Sequence, residues 1–178
     1  MNLIPARAQT FPSGTWAVDR IHSHVGFAVD YMAGTFVGSF ADVDATLSDG
    51  FLEGTASIGN VQVQDAHLEA HLQAPDFFDA ERHPDLTFES CSIALQGHQV
   101  AIDGEVTIKG HTEPVVLTGR FTEPILDSFG RTRLGLELAA TIDRTKFGVS
   151  WNGPLPNGEP ALSHQVTILA QLQFVRQR

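Results

Sequence analysis

Apolar and polar residues alternate along four stretches of this chain with scarcely an exception. In Val25-Phe27-Val29-Tyr31, Val100-Ile102-Gly104-Val106-Ile108, Leu134-Leu136-Leu138-Ala140-Ile142 and Val166-Ile168-Ala170-Leu172-Phe174, every second residue is apolar or small. The residues between them are mostly polar, as in Ala101-Asp103-Glu105-Thr107-Lys109. Successive side chains of a strand point to opposite faces, so a period of two marks long antiparallel strands with one dry and one wet face. Many such strands in one small domain imply a sandwich or a closed barrel, because closure removes exposed edges. A closed barrel of this size can hold an elongated apolar ligand.

Strand patterning covers 15–19, then 23–31 after a break at Arg20-Ile21, and continues over 35–41, 43–47 and 52–63. It resumes over 86–95, 99–109, 114–122, 132–143 and 163–175. Ala33-Gly34 and Ser48-Asp49-Gly50 are turn signals. A helix is expected over 65–73, with Asp65 as its N-cap and Leu68 and Leu72 as an i,i+4 apolar pair. It leads into 74–79, a second short turn or helix carrying Phe77 and Phe78. The Pro- and Gly-rich tract 151–160 reads as a long loop, and 1–14 as a loose N-terminal arm. The expected architecture is therefore all-β: one domain over 15–178, an eight-stranded antiparallel barrel with a short helical insertion at about 65–79.

At 178 residues the chain suffices for one full core and is short for two. A net charge of −10 argues against a nucleic-acid surface and against adsorption to anionic membranes. The single cysteine, Cys91, cannot form an internal disulfide. No stretch approaches a membrane span of about 20 apolar residues. The N-terminus lacks the apolar run of a secretory signal, so a cytoplasmic location is expected.

Motifs for catalysis are sparse. Cys91 lies in a strand without a helix N-terminus or basic neighbour to activate it, and reads as a packed thiol. Asp19, His22 and Ser23 are adjacent in sequence, but a catalytic triad is defined by geometry rather than adjacency. His67 and His71 stand at i,i+4, a spacing that can share a metal, while the Glu of the zinc-protease motif is missing from His67-Leu68-Glu69-Ala70-His71. The alternative to a binding protein is a metal-binding protein or metal-dependent enzyme using His22, His67, His71 and His83. The residues favour no enzyme and no cofactor.

An ordered set of short motifs resembles one family. Trp16-Ala17-Val18-Asp19-Arg20-Ile21-His22-Ser23-His24-Val25-Gly26-Phe27 is similar to the opening of the YceI-like, polyisoprenoid-binding family. So are Asp65-Ala66-His67-Leu68, Asp76-Phe77-Phe78-Asp79, His83-Pro84, Thr87-Phe88-Glu89-Ser90, the tract from Gly104 to Thr112, and Ile142-Asp143-Arg144-Thr145-Lys146-Phe147-Gly148-Val149. The resemblance implies a lipocalin-like barrel whose pore holds a long isoprenoid chain, with helical turns near the opening, and pairing as a homodimer. Family members often carry a histidine or basic residue where this chain has Asp30-Tyr31, and an arginine where it has Gln64. Both departures remove positive charge and count against a pyrophosphate headgroup.

The ligand expected on this reading is a polyisoprenoid or similar long-chain apolar lipid. Residues sharing the inward parity are its candidate lining: Phe27, Val29, Val106, Ile108, Leu136, Leu138, Val166 and Ile168, joined by Phe36, Phe40, Phe77, Phe78 and Phe88. Gly104, Gly119 and Gly135 are expected to leave room for the chain. The competing reading packs the same face into a solid core. Asp19, His22, Ser23, Asp65, His67 and Arg144 match the family's recurrent polar positions. They either hydrogen-bond a headgroup at the pore or, the reading favoured here, tie the first strand, the helix and the late Asp-Arg turn together.

Overall fold

A computed structural model describes residues 9–178, so part of the expected N-terminal arm lies outside the described residues. Within it, Gln9 bridges to Leu95 and its side chain accepts a hydrogen bond from Gly97 N at 3.0 Å, while Phe11 packs on Phe121 with ring centroids 5.2 Å apart.

The strands are β1 (Thr15–Val18), β2 (His24–Tyr31), β3 (Gly34–Phe40), β4 (Val43–Ser48), β5 (Phe51–Ser57), β6 (Val61–Gln62), β7 (Asp85–Gln96), β8 (Gln99–Ile108), β9 (His111–Leu126), β10 (Thr132–Asp143) and β11 (Leu162–Arg176). All pair antiparallel in one sheet. β1 pairs with β4 on one side and β11 on the other, which closes the sheet on itself. β1 and β2 act as one strand interrupted by the single turn Arg20–His22, β5 and β6 are interrupted likewise by Ile58–Asn60, and β3 and β4 are one strand broken at Ala41-Asp42. With β7 to β11 these make an eight-stranded closed barrel.

The alternation sets the inside. Val100, Ile102, Gly104, Val106 and Ile108 of β8 are all buried, as are Leu134, Leu136, Leu138 and Ala140 of β10. One end, the base, is filled. Trp16 and Phe174 are wholly buried there, beside Phe121, Leu134 and Leu136. The Trp16 indole N–H donates to Ser13 O at 3.2 Å, and the Arg176 guanidinium lies 4.7 Å from its ring centroid. The other end, the mouth, carries helix α1 (Ala66–Gln73) and the turns that follow it. Asp65 caps α1 by accepting from Leu68 N at 3.0 Å, and Leu72 anchors it in the core. An eight-residue helix is too short to hold alone, so its packing over the barrel end keeps it formed. Among the described residues no helix is long and apolar enough to cross a membrane.

Three expectations need correction. The run 52–63 is interrupted: after Ser57 the chain makes a single turn, Ile58–Asn60, and loses β7 as a partner, while β6 stays beside the β3–β4 strand through Phe40 and Val61. Cys91 is exposed rather than packed. The β7–β8 register slips between Ser90 and Ser92, and this bulge resets the parity of the strand. Ser90 is thereby turned inward, where its hydroxyl accepts from Leu52 N at 2.8 Å.

The third correction concerns the glycines. The space a side chain at Gly104 would need is taken: a Cβ there would stand 2.4 Å from Glu89 O and 2.6 Å from the Phe88 ring. At Gly119 a Cβ would meet Glu137 O, and at Gly135 it would meet Thr122. These residues permit close approach of neighbouring groups and make no room for a ligand. Gly104→Ala should therefore destabilise the fold by about 1–3 kcal/mol, the usual cost of overpacking, as measured by urea unfolding.

Candidate functional site

Above the plug the barrel is hollow. A cavity of about 250 Å³ lies under the mouth, lined by residues of β2, β3, α1, β8, β10 and β11 and by the segment 144–151. A second, of about 100 Å³, continues toward the base. Leu86, Ile108, Ile142 and Ile168 line both, so the two spaces are neighbours along the bore. The walls are almost wholly hydrocarbon.

Of the expected lining, Phe27, Val29, Phe36, Phe40, Phe77, Phe78, Ile108, Val166 and Ile168 border the larger cavity. Phe88, Val106 and Leu138 border the smaller one. Leu136 does not reach either; it pairs with Phe121 and Leu172 and belongs to the plug. The aromatic rings stand against one another along the wall, with Phe27–Phe40 centroids at 5.8 Å and Phe40–Phe78 at 6.4 Å.

Phe147, Val149 and Trp151, which the candidate lining omits and of which Trp151 opens the tract read as a loop, all line the cavity. The signal for them is present in the chain: apolar residues at alternate positions immediately after the Asp143-Arg144 turn. Trp151 closes the roof. Its ring lies 5.3 Å from both Phe77 and His71, and His71 meets Phe77 edge-on at 4.7 Å. His71 Nε2 pairs with the Asp76 carboxylate at 2.8 Å, which joins α1 to the following turn and holds that carboxyl below its ordinary value.

Two cations brace the mouth through backbone carbonyls. Buried Arg144 donates from Nε to Ser163 O (2.8 Å), from Nη1 to Val149 O (2.7 Å) and Trp151 O (2.8 Å), and from Nη2 to Leu162 O (3.2 Å). It thus fastens the 149–163 loop to the barrel wall. Lys109 Nζ donates to Pro75 O and Gly148 O, tying the β8–β9 turn to the two segments that form the roof.

The polar motif residues do not assemble at one site. Asp19, His22 and Ser23 lie at the base, since Asp19 N bonds Gln173 O at 2.7 Å and Ser23 Oγ accepts from Gln173 N at 3.0 Å. Asp65 is the helix cap, and Arg144 is in the mouth. His67 is exposed, and among the described residues its side chain has no hydrogen bond, ion pair or ring contact. His22 is at the opposite end of the barrel from His67, His71 and His83, so the four cannot share an ion. Among the described residues no group of three or more His, Cys, Asp or Glu is placed to hold a metal.

At the base, Arg133 is the centre of a charge network that sequence reading missed. Its Nη1 meets Asp19 Oδ2 and its Nε meets Asp127 Oδ2, both at 2.7 Å. Asp19 also accepts from Ile21 N and pairs with His22 Nδ1 at 2.8 Å. The β1–β2 break is thereby locked to the β9–β10 loop.

A closed antiparallel barrel, plugged at its base and hollow beneath a roofed mouth, places the chain among lipocalin-type barrels. More narrowly, the YceI-like domain matches residues 16–174, and the chain belongs to that family. It is 29% identical over 142 residues to a UPF0312 protein of Pseudomonas syringae pv. syringae, spanning 75% of this chain and 74% of that one. Its fold is similar to BcnA of Burkholderia cenocepacia, with a TM-score of 0.76 and 21% identity over 88% of this chain and 98% of that one. It is also similar to a polyisoprenoid binding domain from Saccharophagus degradans implicated in plant cell wall breakdown, with a TM-score of 0.63 and 12% identity over 91% and 98% of the two chains.

The base network sets an acid sensitivity. Arg133 first, then His22, holds the Asp19 carboxyl well below its ordinary value of 3.8, and Arg133 does the same to Asp127. A depressed carboxyl stabilises the fold fully above its unfolded value, and that contribution is lost as pH falls toward the folded one. The urea midpoint should therefore decline below about pH 4. Asp19→Asn should lower it at pH 7 and converge with the native protein at low pH.

Proposed function

We propose that this protein is a binding protein that stores or carries a polyisoprenoid or similar long-chain apolar lipid inside its barrel. The observation that carries the reading is the pair of adjoining, hydrocarbon-walled spaces aligned along the bore, from Trp151 at the roof to Phe88 and Val106 deep in the barrel. Their combined length suits a chain rather than a compact molecule. Burying each carbon of such a chain contributes about 0.8 kcal/mol, so a few isoprene units suffice for tight binding without a charged anchor. The likeness to a polyisoprenoid binding domain supports the same class of ligand. The lining presents no nucleophile and no paired carboxylates, and its two basic side chains, His71 and Arg144, are engaged in holding the roof.

Ile168 borders both spaces. Ile168→Trp should block the bore and weaken binding of a long prenyl chain at least ten-fold, with the melting temperature nearly unchanged because the indole fills an existing void. Displacement of N-phenyl-1-naphthylamine by geranylgeraniol measures the first, and calorimetry the second. In a solidly packed barrel the same substitution would cost about 1–3 kcal/mol of stability, and the native protein would bind no chain.

A further inference from the structure

Every polar group on the cavity wall is either uncharged or already engaged. From this we infer that the cavity selects a lipid whose head is an uncharged oxygen function, such as an alcohol, phenol or quinone, hydrogen-bonded by the Tyr31 hydroxyl, and that it disfavours phosphorylated lipids. The inference rests on the proposed reading of the cavity as a lipid site.

The lining contains one guanidinium, Arg144, and four of its five N–H donors go to the carbonyls of Val149, Trp151, Leu162 and Ser163. A single remaining N–H cannot make the bidentate grip by which arginine recognises phosphate. The surrounding carbonyl oxygens would moreover face an incoming anion with their negative ends. His71 is held by the Asp76 carboxylate, which offsets any positive charge on the ring. Around the mouth, Lys109 is spent on two carbonyls, Arg82 faces Asp79 at 3.9 Å, and Lys146 lies in the field of Asp143. A phosphate group drawn into this space would shed its hydration and find no free cation among the lining residues. The chain's net charge of −10 opposes its approach as well.

Neutral donors are available in the same place. Tyr31 ends β2 at the rim and lines the cavity, and its hydroxyl has no partner among the described residues. At 36% exposure it can serve a head that sits between the apolar interior and water. The Trp151 indole N–H, across the roof, is likewise without a partner among the described residues. A phenol or an indole N–H matches the single hydrogen bonds that an alcohol or carbonyl oxygen needs.

The test compares geranylgeraniol with geranylgeranyl diphosphate as displacers of N-phenyl-1-naphthylamine, on the full chain and on its Tyr31→Phe variant. The alcohol should bind at least ten-fold more tightly than the diphosphate. Tyr31→Phe should weaken the alcohol about three- to ten-fold, as the loss of one hydrogen bond does. It should leave the melting temperature and the diphosphate affinity unchanged. Equal or tighter binding of the diphosphate to the native protein, or an unchanged affinity of the variant for the alcohol, would overturn the inference while leaving the lipid reading intact. If neither compound displaces the probe, the lipid reading itself fails and this inference with it.

Discussion

The structure depends on four residues that close the barrel. Thr15–Val18 form a strand of only four residues, yet they bond to β4 and β11 at once. Without them both neighbours would present open edges, the exposed feature that sheet proteins must otherwise guard. The same four residues carry Trp16 into the base, where its wholly buried indole meets the plug. Just beyond them, Asp19 takes the Arg133 guanidinium and joins the closure to the β9–β10 loop. One short segment thus sets closure, the filled base and the charged clasp beneath it.

Closure forces a division of the interior. Eight strands leave a bore just wide enough for side chains to fill or for one slender ligand to occupy. At the base, large rings and leucines fill it. Toward the mouth, the inward positions hold rings that stand against the wall and against each other, and the bore stays open. The roof over that space is made of segments that would be mobile if left unbraced. Arg144 and Lys109 hold them by donating to carbonyls rather than to carboxylates. Such a use of cations leaves the mouth rigid and apolar, and it removes them as anchors for an anionic head.

Much of the fold was legible because period-two alternation has a direct geometric meaning. The long strands β8, β10 and β11 and the capped helix at Asp65 stand where the pattern places them. Where the backbone departs from regular geometry, the pattern misleads. The bulge at Cys91 moves the apolar parity from Leu86 and Phe88 to Ile93 and Leu95, a shift that a single period of two over 86–95 passes over, and the turn after Ser57 ends the pairing with β7 inside a run that reads as one strand. Most of the cavity lining follows from parity, but Leu136 shares that parity and is buried in the plug, since alternation says which face a residue takes and not how far along the bore it lies. Trp151 was hidden because its neighbours are rich in proline and glycine. The role of Arg133 rests on contacts with Asp19 and Asp127, of which Asp19 is 114 residues away in sequence, and no local signal encodes such a pair.

The central claim is that the mouth half of this barrel is occupied by an apolar chain when the protein works. The most direct measurement is native mass spectrometry of the full chain purified without detergent from the cells that make it, repeated after denaturation and organic extraction. A bound species of several hundred daltons should accompany the folded protein, disappear on denaturation, and appear in the extract as an apolar chain lipid. Folded protein at its bare polypeptide mass, with an extract free of lipid and no uptake of added prenyl chains, would contradict the account.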